Sequence, residues 1–183
     1  VGPDKVKSTV AVIGDSTFIH SGITGLIDVA YNQGNSVTII MDNSITGMTG
    51  HQENPTTGKT IKGDPTLAVD LEALVKAIGI NRVTVVDPYD TKATYDVIKH
   101  DIALDEPTVI ISRRPCALLK TVKHNPPYHI DREKCTACKA CLRIGCPAIS
   151  LHDGKSGIDK NQGVGGTECV SLCKFGAIGG AEQ

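Results

Sequence analysis

Residues Cys135 to Pro147 read C-T-A-C-K-A-C-L-R-I-G-C-P and contain four of the seven cysteines of the chain. Three cysteines stand two residues apart, a fourth follows after four more residues, and a proline comes directly behind it. Thiolates at this spacing on one tight loop are the usual ligands of a cubane iron–sulfur cluster. The stretch therefore predicts an iron–sulfur domain.

The same pattern recurs downstream, which indicates an internal repeat. Laying Ile130-Asp131 over Ile158-Asp159 gives an offset of 28 residues, and two of the eight expected thiolates are then glycines. The matched positions are Cys135 with Gly163, Cys138 with Gly166, Cys141 with Cys169 and, after one extra residue in the first copy, Cys146 with Cys173.

The two glycines change the number of clusters that we expect. In two-cluster proteins with this pattern, the fourth cysteine of each run ligates the other cluster. The second site keeps only Cys146 and Cys169, because Gly163 and Gly166 offer no side-chain ligand. We therefore predict one [4Fe-4S] cluster and a vestigial second site. The predicted ligands of the first cluster are Cys135, Cys138, Cys141 and Cys173.

Other interpretations of the cysteines stay open. Zinc usually takes two C-x2-C pairs with a wider gap, so a third cysteine at this spacing disfavours it. Disulfides are disfavoured in the main run because three sulfurs crowd one turn, although Cys146 and Cys169 can pair if the second site is empty and the compartment oxidising. Cys116 lies outside both runs and is expected to be a small buried hydrophobe.

Composition limits the size, partners and location of the protein. A chain of 183 residues has room for one ordinary domain and one small one. The net charge is -1 without a long basic run, which argues against nucleic acid or a membrane surface as partner. No apolar stretch approaches the ~20 residues of a membrane span. We expect a soluble cytoplasmic protein whose thiols stay reduced.

Strand and helix patterns alternate along residues 1–119, which predicts an α/β domain with a largely parallel sheet and helices on both faces. A long loop rich in Gly, Thr, Asn and Pro interrupts them, and loops of this length are usually functional or disordered. The predicted strands are 9–13, 36–41, 83–86 and 108–112, the helices 18–33, 67–78 and 91–104, and the loop 44–65.

Asp15 and Asn43 follow two successive predicted strands, so they can point at one spot beyond the carboxyl ends of the sheet, where ligands of such sheets bind. Carboxylate, amide and carbonyl oxygens suit an octahedral Mg²⁺ that shares its shell with phosphate oxygens and water. Gly14 lets the backbone come close, and the helix N-terminus after it favours a phosphate. Alternatively, Asp15-Ser16 simply caps the helix and Asn43 makes a turn.

Longer stretches resemble one enzyme family. G-D-S at 14–16, followed after 25 residues by D-N at 42–43, resembles the motif of thiamine-diphosphate enzymes, which opens G-D-G and closes on N or N-N. More narrowly, G-D-S-T-F-I-H-S-G-I-T-G-L at 14–26 and D-N-S-I-T-G-M-T-G-H-Q at 42–52 look like the indolepyruvate ferredoxin oxidoreductase α subunit, within the 2-oxoacid:ferredoxin oxidoreductases. R-R-P-C-A-L-L at 113–119 and the cysteine run resemble the same family.

The resemblance implies the cofactors thiamine diphosphate and Mg²⁺ and assigns residues to them. Three of these residues have an alternative role. His20 can be a buried histidine whose ring is fully hydrogen-bonded, and the loop residues His51 and Gln52 can simply be exposed to solvent. The implied Mg²⁺ ligands are Asp15, Asn43 and the carbonyl of Ile45; Gly14, Ser16, Thr46 and Gly47 line the diphosphate; and His20, His51 and Gln52 face the thiazolium or the substrate.

The implied function is oxidative decarboxylation of a 2-oxo acid, most like an arylpyruvate, to an acyl-coenzyme A, with electrons passed through the [4Fe-4S] cluster to ferredoxin. The alternatives are an electron-transfer subunit without its own catalysis, a non-oxidative thiamine-diphosphate decarboxylase, and an inert fragment. Titration with thiamine diphosphate and Mg²⁺ separates the first alternative from the enzyme.

The resemblance also implies a larger protein. The family's subunit is much longer, and the domain that binds the aminopyrimidine lies N-terminal to the part present in this chain. We therefore expect the chain to be catalytically incomplete and to work with that missing portion or with separate subunits. The predicted organisation is a thiamine-diphosphate-binding domain at 1–119, a stiff linker at 120–127 and an α+β bacterial-ferredoxin-like domain at 128–183, whose cluster supplies much of its folding energy.

Overall fold

Four parallel strands form one sheet, as the sequence predicts. They are β1 (Thr9–Gly14), β2 (Ser36–Asp42), β3 (Arg82–Val86) and β4 (Thr108–Arg113), and they lie in the order β1-β2-β4-β3. The computed structural model describes residues 9–180, and the chain divides after Cys116 into two compact units. Five of the six residues of β4 are buried, which suits a central strand with both faces covered.

Helices cover both faces of this sheet. The first helical stretch, α1, runs from Asp15–Thr17 through a π-helical turn, Phe18–Gly22, to Ile23–Tyr31. It packs on one face together with α2 (Leu71–Ile78), while α3 (Thr91–Ile102) packs on the other. The prediction of a parallel sheet between two helical layers is therefore confirmed.

One predicted helix boundary is wrong. The apolar pattern predicts a helix from residue 67, whereas α2 begins at Leu71. The side chain of Asp70 accepts hydrogen bonds from the backbone N–H groups of Glu72 and Ala73 at 2.9 and 3.1 Å. This N-cap fixes the start of the helix, since capping oxygens satisfy N–H groups that have no partner inside the helix.

The predicted loop at 44–65 is folded on itself. Thr46 and Gln52 form an isolated antiparallel bridge, in which each backbone N–H donates to the other's carbonyl at 3.0 and 3.2 Å. Lys59 and Pro65 form a second bridge. Backbone hydrogen bonds therefore hold the loop in a defined shape.

The C-terminal unit contains two small antiparallel sheets, β5-β8 and β6-β7. No helix in the described part of either unit is long and apolar enough to cross a membrane. The elements of the C-terminal unit are β5 (His129–Ile130), a 3₁₀ helix (Ala140–Ile144), β6 (Ile149–His152), β7 (Lys155–Ile158), α4 (Glu168–Leu172) and β8 (Ile178–Gly179).

Backbone hydrogen bonds in this unit follow the internal repeat of the sequence. Each half starts with a strand, passes through a short helix and ends with a strand that pairs with the first strand of the other half. Equivalent positions of the two halves make equivalent bonds. The matched bonds are Asp131 N to Ala177 O and Asp159 N to Ala148 O, both 2.8 Å, and Cys135 N to Asp131 O and Gly163 N to Asp159 O, both 3.0 Å.

Candidate cofactor sites

Asp15 lies where the carboxyl ends of β1 and β2 meet. The parallel register pairs Gly14 with Met41, so the next residues along the two strands, Asp15 and Asp42, follow side by side. Asp15 is 3% exposed and Asp42 is 7% exposed. Two carboxylates are thus buried together at the edge of the sheet where ligands of α/β proteins bind.

Hydrogen-bond donors from three segments meet at the Asp15 carboxylate. The backbone N–H of Ser16 donates to Oδ1 at 2.7 Å, and the side chain of Asn54 also donates to the carboxylate. The backbone N–H of Ser44 donates to Oδ1 of Asp42 at 3.3 Å and lies near enough to Asp15 to lower its pKa. The hydroxyl of Thr56 lies 3.5 Å from Oδ2. Burial raises the pKa of Asp15 above its ordinary value, the Ser16 N–H opposes this, and the charge of Asp42 adds to the rise.

Arg113 neutralises the second carboxylate of the pair. Its Nε donates to Oδ2 of Asp42 at 2.7 Å, and its Nη1 lies 3.5 Å from Oε1 of Glu72. Hydrogen bonding and charge from Asp42 raise the pKa of Arg113 further. Within residues 9–180, no cationic side chain forms an ion pair with Asp15.

This donor set fits a divalent cation. Asp15 is a buried carboxylate beside a second one, and a metal ion would supply the charge that no side chain of the described chain provides. Asn43 makes an Asx turn, in which its Oδ1 accepts from the N–H of Ile45 at 3.1 Å, and an amide oxygen keeps a second lone pair for a metal. The turn predicted as the alternative role of Asn43 is therefore present.

Open space beside two predicted glycines fits a diphosphate. A Cβ atom added at Gly14 would meet nothing within 4 Å, and one added at Gly47 would meet only Ile45 Cγ2, at 4.0 Å. Gly14 directly precedes α1, where free backbone N–H groups favour an anion. Ser16 lies in the first turn of α1, and Thr46 lies in the bridge with Gln52.

The residues that the resemblance places near the substrate are all exposed. His20 lies in the π-helical turn, where its Nδ1 is 2.8 Å from the hydroxyl of Ser21, so the alternative of a buried histidine is wrong. His51 has a positive φ of 63° in the long loop. The side-chain amide of Gln52 is held by Thr49, with Nε2 donating to the Thr49 carbonyl at 2.6 Å.

Sequence reasoning missed two loop residues at this site. Asn54 is 7% exposed, and its Oδ1 accepts from the backbone N–H of Thr56 at 2.9 Å and from the Thr56 hydroxyl at 2.6 Å. The Asn54 amide reaches Asp15, so the pair joins the loop to the end of β1. An Asn-Pro step predicts a turn, and that was the available signal for Asn54.

Cys116, which lies outside both cysteine runs and which the sequence predicts to be buried, is only half-buried, so that prediction is wrong. Its backbone N–H donates to the carbonyl of Asn43 at 2.9 Å. This hydrogen bond holds the turn after β2 against the segment that follows β4.

In the C-terminal unit, one recess is lined by the four predicted ligands of the first cluster, together with Ser156 and Phe175. All seven cysteines of the chain are free thiols. Cys138 is exposed and Cys141 is buried. The recess thus brings the three cysteines of the run together with one that follows some thirty residues later, namely Cys135, Cys138, Cys141 and Cys173.

Backbone N–H groups point at the sulfurs of this recess. The N–H of Ala177 lies 3.3 Å from Sγ of Cys173. The N–H groups of Ala137 and then Ser156 hold the pKa of Cys135 below its ordinary value. Donors aimed at sulfur favour a thiolate, which is the form that binds iron.

No three His, Cys, Asp or Glu side chains between residues 9 and 180 are placed to hold a single metal ion. A four-iron cluster is larger than an ion and keeps its thiolates further apart. The shared recess and its sulfur-directed donors fit that larger group, and the cluster itself stays a prediction.

The second cysteine site is closed by residues that precede β5. A Cβ atom at Gly163 would lie 2.7 Å from Cβ of Pro127, and one at Gly165, whose φ is +67°, would lie 2.5 and 2.6 Å from Cβ and O of Asn125. Cys146 and Cys169 pack beside Cys141 in the small core of the unit. Burial raises the pKa of Cys169, and nearby Cys146 adds to the rise, so both favour the neutral thiol.

The fold and the Asp15 site define a class of protein. The family model "Thiamine pyrophosphate enzyme, C-terminal TPP binding domain" matches residues 2–112. The chain belongs to this family, and thiamine diphosphate is the cofactor for which the domain is named.

Particular relatives confirm the narrower resemblance. The chain is 42% identical over 181 residues to indolepyruvate oxidoreductase subunit IorA of Pyrococcus horikoshii, covering 94% of this chain and 28% of the relative. It is 41% identical over 178 residues to the protein of the same name from Thermococcus kodakarensis, covering 92% and 27%. The chain thus spans little more than a quarter of the length of these curated relatives.

A solved structure shares the fold. It is a 2-oxoglutarate:ferredoxin oxidoreductase from Magnetococcus marinus with 2-oxoglutarate, coenzyme A and succinyl-CoA bound. The match has a TM-score of 0.55 at 20% sequence identity and covers 61% of this chain and 42% of that one. At this identity the likeness concerns the fold alone.

Proposed function

We propose that this chain is the cofactor-binding and electron-carrying part of a thiamine-diphosphate-dependent 2-oxoacid:ferredoxin oxidoreductase of the arylpyruvate type. The convergence of loop and strand-end donors on the buried Asp15 carries the proposal, together with the identity to relatives named indolepyruvate oxidoreductase subunits. The remainder of the protein, either a preceding portion or separate subunits, completes the active site. We place it in the cytoplasm, where thiols stay reduced.

Asp15, the Asn43 amide oxygen and the Ile45 carbonyl would bind Mg²⁺. The cation would neutralise the carboxylate that Arg113 leaves uncompensated, because Arg113 is already paired with Asp42. Diphosphate oxygens would complete the metal's shell. Gly14, Ser16, Thr46 and Gly47 would then surround the diphosphate.

Thiamine diphosphate, when bound, supplies an electron sink for the carbanion left by loss of CO₂ from a 2-oxo acid. The chain's own residues hold it in place. The Asn54–Thr56 pair fixes the long loop against Asp15, and His20, His51 and Gln52 lie on exposed segments that can face a substrate.

The cysteine recess would hold one [4Fe-4S] cluster through Cys135, Cys138, Cys141 and Cys173, within a ferredoxin-like domain at 128–183. A cubane cluster accepts electrons singly, which suits an oxidation that delivers them to ferredoxin with coenzyme A taking the acyl group. Because one chain would bind both cofactors, the electron donor and the electron acceptor stay tethered to each other. Residues 1–119 would bind the thiamine cofactor.

The test uses the complete oxidoreductase that contains this chain, supplied with indolepyruvate, coenzyme A and oxidised ferredoxin. The proposal expects ferredoxin reduction that depends on all three and on Mg²⁺, and that is lost in Asp15→Ala. Aldehyde and CO₂ without ferredoxin reduction would instead indicate a non-oxidative decarboxylase. A protein that reduces ferredoxin equally well with Asp15→Ala would contradict the assigned metal site.

A further inference from the structure

A hydroxyl group lies among the predicted cluster ligands. Ser156, on β7, is 3% exposed and lines the cysteine recess. Its Oγ lies 3.3 Å from Sγ of Cys141, and its backbone N–H donates to the sulfur of Cys135. One residue thus contacts two of the four predicted ligands through two different atoms.

A buried hydroxyl needs a hydrogen-bond partner, because an unpaired one costs free energy. The Ser156 hydroxyl has the sulfur of Cys141 as its partner. The offset of 28 residues places Tyr128 at the matching position of the first copy, where the hydroxyl stands at the far end of an aromatic ring rather than on Cβ. The short serine hydroxyl thus stands in the recess that keeps its four cysteines.

The direction of this hydrogen bond depends on the proton of Cys141. A thiol S–H donates to the Ser156 oxygen, but a thiolate bound to iron has no proton and can only accept. A hydroxyl can donate or accept by rotating about its Cβ–Oγ bond. With iron bound, the hydroxyl must therefore be the donor.

We propose that Ser156 is a positioning residue that raises the reduction potential of the cluster by donating its hydroxyl proton in a hydrogen bond to Cys141 Sγ. The inference rests on the proposed iron–sulfur function of the C-terminal unit. One-electron reduction adds a negative charge to the cluster and its thiolates. A hydrogen bond to a ligand sulfur stabilises the more negative state, so the reduced form gains more from it than the oxidised form.

The test is an anaerobic redox titration of the iron-loaded full chain, followed by electron paramagnetic resonance of the reduced cluster. Ser156→Ala is expected to shift the midpoint potential to a more negative value while the iron content stays at the wild-type level. Ser156→Thr keeps a hydroxyl and is expected to retain a potential close to that of wild type. The matched control is Ser150→Ala, since the exposed Ser150 hydroxyl faces His152 at 2.8 Å rather than a cysteine.

Ser156→Gly is the second variant, because it removes the same hydroxyl without placing a methyl group among the cysteines. Full iron content with an unchanged potential in both Ser156→Ala and Ser156→Gly would overturn this inference and leave the proposed function standing. A Ser156→Thr potential as low as that of Ser156→Ala would also count against the hydroxyl. A wild-type chain that takes up no cluster would overturn both the inference and the proposed iron–sulfur domain.

Discussion

Arg113 and Asp42 tie the ends of β4 and β2 together through a 2.7 Å contact between Nε and Oδ2. The Asp42 side chain is 9% exposed, so it depends on this partner, whereas the Arg113 side chain is 40% exposed. The pair leaves Asp15, next to Asp42, as a buried carboxylate without a cationic partner in the described part of the chain.

We expect Arg113→Met to lower the free energy of unfolding of the N-terminal unit by about 1–3 kcal/mol, because it leaves the buried Asp42 carboxylate without its cationic partner. The matched control is Arg82→Met, since Arg82 forms an exposed pair with Glu106 that is expected to contribute about 1 kcal/mol or less. Urea denaturation measures both. Equal losses in the two variants would contradict the role given to Arg113.

The raised pKa of Asp15 predicts a pH-dependent cost to stability in the absence of metal. Because the folded protein holds this proton more tightly than the unfolded chain does, stability is lost as pH rises through the raised pKa of Asp15. Asp15→Asn removes the charge, so at neutral pH this variant is expected to melt at a higher temperature than wild type, with a difference that shrinks towards acid pH.

The control for this behaviour is Asp131→Asn, for which the opposite sign is expected. The backbone N–H groups of Lys134 and Glu133 lower the pKa of Asp131. Its charged form therefore stabilises the folded protein at pH values above the ordinary pKa of a carboxyl group. Thermal melts of both variants across the acid-to-neutral range give the comparison. An Asp15→Asn variant that is less stable than wild type at neutral pH would argue that the carboxylate is structural.

The recess predicts which cysteines hold iron. Cys173→Ser removes a ligand that lines the recess, so we expect iron content to fall from about four atoms per chain to well below that number. Cys146→Ser changes a cysteine outside the lining of the recess, and it is expected to keep about four atoms. Iron analysis with absorbance spectra provides the measurement, and about eight atoms in wild type would mean that the second site is filled.

Because the second cysteine site is closed, we expect alanine to lower the stability of the chain unequally at two glycines with positive φ. Gly165→Ala would press a Cβ to within 2.8 Å of three Asn125 atoms, whereas Gly154→Ala meets nothing within 4 Å. Both pay the cost of a left-handed backbone, about 1 kcal/mol, and Gly165→Ala is expected to lose a further 1–3 kcal/mol, roughly the cost of overpacking. Similar losses in chemical denaturation would show that Asn125 does not close the site.

The sequence allowed the sheet to be predicted because each strand is a short β-branched run that ends in polar residues. It also allowed Asp15 to be placed at the carboxyl edge of the sheet, since neighbouring parallel strands end together. Asn54 and Thr56 escaped notice because the 44–65 segment has no periodicity, and its shape follows from tertiary contacts. Gly163 indicated only that a ligand is missing; that Pro127 fills the space depends on packing.

The central claim is that Asp15 anchors a magnesium-bound thiamine diphosphate at the meeting point of β1 and β2. The most direct measurement is a calorimetric titration of the chain with thiamine diphosphate, with and without Mg²⁺. We expect saturable binding that requires Mg²⁺ and is lost in Asp15→Ala. Binding of equal strength without Mg²⁺, or equal binding by Asp15→Ala, would contradict the claim.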